Sequence, residues 1–140
     1  MEKEVIESKL DSLLNLLKKL KEILAERKIN LKLKEFLLYA AEKKAEEAVE
    51  LAISINQELL RNKNKIGKSY YESFTNLSVF KVFSENELKE LASTAGFRNR
   101  LAQEYLEVNE GLALRSMEKI LKIYPPYLQE IRRIVFKMVK

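Results

Sequence analysis

Apolar residues recur at alternating spacings of four and three from the start of the chain: Ile6, Leu10, Leu13, Leu17, Leu20 and Leu24. That is a heptad seam, and it predicts a helix over residues 2–27. Leu14, Leu16 and Ile23 widen the apolar face, which suits a bundle helix better than a free two-stranded coil. Ile29 to Leu33 reads as a short connection. A second stripe follows at Leu37, Ala41, Ala45, Ala48, Ala52, Ile55 and Leu59, predicting a helix to about Asn62. Its small residues allow a close neighbour. Asn56 is the odd polar group beside that stripe, and reads as a satisfied core amide.

The remaining punctuation is sparse. Asn62 to Lys68, with Gly67, reads as a loop. Ser69-Tyr70-Tyr71-Glu72 and Ser84-Glu85-Asn86-Glu87 both carry the capping-box spacing, in which Ser and Glu satisfy each other's backbone N–H groups. The first opens a short helix to about Leu77. The second opens a longer helix running through residues 95–108. Asn109-Glu110-Gly111 breaks or bends the chain, and a last long segment starts near Leu112. Pro125-Pro126 should kink or restart it, because proline lacks the helical N–H. The expected fold is all-α: one domain over residues 1–140, an antiparallel bundle of four main helices with a short extra helix.

Composition narrows the chemistry. The 140 residues contain three Gly, two Pro, no Cys and no His. Disulfides and thiolate zinc sites are excluded, and only carboxylate-bound hard cations remain as metals. No cofactor is expected. No apolar run approaches the roughly 20 residues that span a bilayer, and the amino terminus is not a signal core, so a cytoplasmic chain is expected. The net charge of +5 is uneven. Lys119 to Lys140 sums to +5 and Arg61 to Lys68 to +4, leaving the remainder slightly acidic. Such stripes suit a polyanion such as RNA, with Arg98, Arg100, Arg132, Arg133 and Lys137 the leading residues; a solvated helix face is the plainer alternative.

Within the segment predicted to follow the second capping box stands Phe97-Arg98-Asn99-Arg100-Leu101-Ala102-Gln103-Glu104-Tyr105. An Arg, four residues, a polar residue, one residue and a Tyr resemble the signature of HepT-like HEPN domains. In that family the polar position holds His; here it holds Gln103. The order of features also resembles the family: Ser69 to Phe74, an apolar connector, a capped helix, then Ala95-Gly96-Phe97-Arg98. The resemblance covers about Leu33 to Met138, with residues 31–140 as the family-like core and 1–30 as an added amino-terminal heptad helix.

The resemblance implies a ribonuclease toxin paired with a nucleotidyltransferase antitoxin. It also implies a homodimer, a site at Arg98, Gln103 and Tyr105, and transfer of AMP to Tyr105 as the silencing step. Helix geometry bears independently on the dimer. At about 100° per residue, Phe97, Leu101 and Val108 form an apolar stripe opposite Ala95, Asn99, Ala102 and Leu106. One stripe can face the core, and the other needs a loop or second copy over it. Arg98 and Gln103 lie about 140° apart, so one straight helix cannot aim both at one phosphate, whereas two copies can.

RNA cleavage by the 2′-hydroxyl needs a base, an acid and positive charge at the phosphoryl oxygens. Arg98 can supply the charge. Gln103 cannot exchange a proton near neutral pH. Glu50 and Glu104 are candidate replacements. Two functions therefore stay open: a ribonuclease toxin with weakened chemistry, and a non-catalytic module that binds nucleic acid or the partner protein.

Overall fold

A computed structural model describes residues 2–97 and 110–138. Among these residues the chain is all-α, with no strand. The helices are α1 (Glu2–Ile29), α2 (Lys34–Arg61), α3 (Tyr70–Thr75), α4 (Glu85–Ala92) and α5 (Glu110–Phe136). Single 3-10 segments follow α1, α3 and α4, at Leu31–Leu33, Asn76–Phe80 and Ser93–Gly96.

α1 and α2 pair along their length, and the two stripes read from the sequence explain why. Ile6, Leu10, Leu13, Leu17 and Leu20 are buried on one side, and Ala41, Ala45, Ala48, Ala52, Ile55 and Leu59 on the other. Small residues on α2 let the backbones approach, and the leucines of α1 fill the gap. Leu14 departs from the expected face and is 39% exposed. α5 closes the bundle with Met117, Ile120, Tyr124, Tyr127, Ile131 and Val135.

α2 ends in a Schellman arrangement. Lys65 N–H reaches the Leu60 carbonyl at 3.0 Å, and Asn64 N–H reaches that of Arg61 at 3.2 Å. Asn64 takes the left-handed position between them (φ 54°), which Asn tolerates better than most residues. The loop beyond is clamped. Gln57 accepts from Gly67 N–H at 3.0 Å and donates to its carbonyl at 3.1 Å, while Asn76 donates to the Lys65 carbonyl at 3.0 Å.

That clamp alters one capping box. Ser69 accepts from Glu72 N–H as expected, but the Glu72 carboxylate takes the Lys68 N–H at 2.8 Å instead of closing back on Ser69. The box at Ser84 is complete: Ser84 Oγ accepts from Glu87 N–H at 3.0 Å, and Glu87 accepts from Ser84 N–H at 2.7 Å. Its helix is shorter than expected. It stops at Ala92, and the 3-10 turn separates it from Phe97. The Ser93 and Thr94 hydroxyls donate to the carbonyls of Glu90 and Leu91, at 2.6 and 2.7 Å. These side chains compete with the main-chain ladder where the helix gives way.

Of the two outcomes expected at the prolines, a restart is excluded. α5 runs unbroken through Pro125 and Pro126. Only two ladder bonds are lost, those that residues 125 and 126 would have donated. Tyr124 and Tyr127, on either side, are buried and anchored elsewhere. The Tyr127 hydroxyl donates to Asn56 Oδ1 and approaches the Ala52 carbonyl at 3.3 Å. Asn56 is thus only half satisfied: its Nδ2 has no partner among the described residues.

Two stability predictions follow from these contacts. A Cβ on Gly67 would lie 2.6 Å from the Ser73 nitrogen and 2.8 Å from the Glu72 carbonyl carbon. Gly67→Ala should therefore cost about 1–3 kcal/mol through overpacking, read as a lower urea midpoint at unchanged slope. Tyr127→Phe strands Asn56 Oδ1 in the core and should cost about 1–3 kcal/mol by the same measurement. A midpoint unchanged by either replacement would contradict its assigned role.

Candidate functional site

Arg98, Arg100, Leu101, Gln103, Glu104, Tyr105 and Val108 lie outside the described residues. Phe97 stands at their edge. It is 1% exposed and belongs to the chain's own core, so its burial needs no second copy. This corrects the expectation that Phe97 waits for a partner. Glu50 is exposed on α2.

The basic residues separate into two directions. Arg132 turns toward α1 and pairs with Asp11 at 2.9 Å. Arg133, about 100° further round α5, faces a cleft together with Lys137. Opposite them stands Lys63, from the clamped loop after α2. The cleft holds about 710 Å³, and Asn62, Phe80, Val82, Glu130, Ile134 and Met138 complete its lining. The two basic segments of the sequence therefore meet across one opening, although Lys63 and Lys137 stand 74 positions apart.

Several side chains in the cleft are held in place. Lys63 Nζ lies 6.0 Å from the centre of the Phe80 ring, at the outer reach of a cation–π contact. Arg133 pairs with Glu130 at 2.8 Å; the Arg133 side chain is 68% exposed and that of Glu130 26%. Arg133 thus presents its free face to solvent. Between Phe80 and Val82, Lys81 adopts a left-handed backbone (φ 59°), a costly conformation for an L residue. That bend lets both neighbours line the opening.

A second cleft, of about 310 Å³, shares Val82 and Glu130 with the first. Its charged lining is Glu87, Glu90, Glu130 and Lys122, so it is acidic. Lys119 bonds Glu90 at 2.7 Å and Ser93 Oγ at 2.8 Å, tying α5 to the end of α4. The Lys119 ammonium, through its hydrogen bond and then its charge, holds the Glu90 carboxyl below the usual carboxylate range.

The buried tyrosines do not serve acid–base chemistry. Burial pushes the Tyr124 and Tyr127 hydroxyls well above the usual phenol range. They act as neutral partners, with Tyr124 paired to Thr94 Oγ1 at 2.8 Å. Among the described residues no cluster of Asp or Glu is arranged to hold a metal, and no helix is long and apolar enough to cross a membrane.

The profile of one protein family, described as "Ribonuclease HepT-like", matches residues 13–134. The chain belongs to the HepT-like ribonuclease family. The match takes in most of α1, all of α2 to α4, the segment with Arg98, Gln103 and Tyr105, and nearly all of α5. A curated relative, the tRNA nuclease HepT of Aphanizomenon flos-aquae (strain 2012/KM1/D3), is 34% identical over 82 residues. That alignment covers 57% of this HepT-like chain and 55% of the relative, so it spans about half of the relative's length.

Reading single residues missed Lys63, Phe80 and Glu130. The excess charge of residues 61–68 was the one available signal, and only the fold shows where it points.

The Glu90–Lys119 pair has a definite pH signature. A depressed folded-state pKa adds stability above the unfolded value, near 4.5, and that stability is lost as pH falls through the lowered folded value. Glu90→Gln should lower the melting temperature at neutral pH and leave it nearly unchanged at the acid end. A difference from wild type that persists undiminished at low pH would show that the effect is not ionic.

Proposed function

We propose that this chain is a HepT-like ribonuclease, the toxin of a toxin–antitoxin pair, with cleavage slowed by Gln103 at the motif position. The observation that carries this reading is the family match across residues 13–134, which includes Arg98, Gln103 and Tyr105. The relative's name points to tRNA as the RNA class.

In the proposed reaction the 2′-oxygen attacks the adjacent phosphorus and the 5′-oxygen leaves. The proton lost from the 2′-hydroxyl needs an acceptor, and the departing oxygen needs a donor. Arg98 steadies the phosphoryl oxygens through its planar, permanently charged fork. Gln103 orients by hydrogen bonding and cannot relay the proton. A homodimer brings the Arg98 of one copy toward the Gln103 of its partner, which a single straight helix does not do. With Phe97 already buried in its own chain, Leu101 and Val108 are the interface positions left to this proposal. Tyr105 is the proposed acceptor of AMP from a nucleotidyltransferase antitoxin, which places bulk and negative charge where the RNA phosphate sits.

A second reading, a HepT-like module that binds without cleaving, is favoured by one observation: the chain has no histidine at all. One pair of variants separates the two. If the missing proton carrier limits a functional site, Gln103→His raises metal-free RNA cleavage by at least about tenfold, within reach of the 10²–10⁴ typical of acid–base catalysis. Arg98→Ala then removes the gain. No gain in a folded, dimeric Gln103→His protein favours the binding module. Strong cleavage by the unaltered protein shows instead that another group carries the proton.

A further inference from the structure

The basic cleft between the loop after α2 and the end of α5 has no part in the chemistry above. We propose that it is a strand-binding exosite, in which Lys63, Arg133 and Lys137 hold the phosphates of a single-stranded RNA segment and Phe80 and its apolar neighbours receive a base. The choice of RNA over other polyanions rests on the ribonuclease reading.

Four observations point the same way. The cations come from two separate elements and face one opening, as a bound phosphate chain requires. The opening, at about 710 Å³, lies within the range of about 300–1,000 Å³ seen for ligand-sized pockets. Its floor is mixed: Phe80, Val82, Ile134 and Met138 offer apolar surface beside the charges. Base–aromatic contact beside backbone neutralisation is how sequence-tolerant single-strand sites are built. Finally, the loop carrying Lys63 is held by Gln57, Glu72 and Asn76. An ordered loop loses less conformational freedom when a ligand binds.

Glu130 gives the proposal its sharpest test. It stands in the cleft against Arg133 and neutralises part of the charge. An anion site should tighten when that carboxylate is removed. A site for a cationic or neutral partner should not.

The experiment measures binding of a labelled, single-stranded 2′-O-methyl oligoribonucleotide, whose blocked 2′-oxygen cannot attack. The full chain is titrated by fluorescence anisotropy at several salt concentrations. The joint variant Lys63→Ala, Arg133→Ala and Lys137→Ala should weaken binding at least about tenfold at low salt. It should also flatten the salt dependence by about 0.7 for each phosphate no longer neutralised, or about two in all. Glu130→Gln should tighten binding several-fold. Phe80→Leu should weaken it by about fivefold or more, by removing a stacking face.

Lys18, Lys21 and Lys43, exposed on α1 and α2 and outside the cleft lining, give a charge-matched control. Their joint replacement by Ala should leave affinity within about twofold near 0.15 M salt, where charges more than about 8 Å from the bound strand are largely screened. Equal weakening by the control and cleft variants would reduce the effect to net charge and overturn the exosite. So would no binding by the wild type, no tightening in Glu130→Gln, or displacement by poly-glutamate as effective as by unlabelled RNA. Circular dichroism verifies the fold of each variant. Cleavage of ordinary RNA is followed alongside: binding that depends on the cleft without cleavage loses the ribonuclease reading and keeps the exosite. Cleavage with binding indifferent to the cleft does the reverse.

Discussion

Tyr127 is where the bundle is tied together. Its hydroxyl reaches two groups of α2, and its ring sits 6.1 Å from Phe74, 6.2 Å from Phe83 and 5.7 Å from Tyr124. Those partners belong to α2, α3, the link before α4, and α5. A phenol so deeply buried must remain neutral and bonded, and this fixes the depth of α5 against α2. The same contact bridges the turn where two prolines weaken the helical ladder.

The long elements were legible because burial repeats with the helical period. Leucines at three and four in α1 and alanines in α2 leave no choice of face. The Ser84 box was legible because nothing competes for its groups. The Ser69 box was half legible: the neighbouring Lys68 N–H takes the carboxylate, a preference set by the loop clamp and not by spacing. The prolines were read as a kink or a restart, and the helix does not restart there. Its local penalty is real, but the tyrosines on either side carry α5 past it.

The candidate site was legible in its kinds of residue and hardly at all in its geometry. Arg132 and Arg133 are consecutive, yet a helix sends them to different neighbours: one to Asp11, the other to the cleft. Lys63 joins Arg133 only through the way α2 and α5 end side by side. Phe97 looked like an interface residue because its stripe seemed to lie away from the core. The 3-10 turn at Ser93–Gly96 separates Phe97 from α4, and the residue packs into the chain's own core.

The ends of α2 and α5 have an electrostatic consequence of their own. Both helices present their carbonyl termini at the cleft, since Asn62 and Lys63 follow one and Lys137 and Met138 follow the other. Each terminus carries roughly half a negative charge. It stabilises nearby lysines and arginines, and it repels an arriving anion. Among the described residues no helix amino terminus lines the cleft, unlike the ends that usually bind phosphate. Attraction must come from side-chain cations that outweigh the dipoles. Anything negative held at that place is gripped by charge with little angular demand, so the shape of the ligand's backbone matters more than the order of its bases.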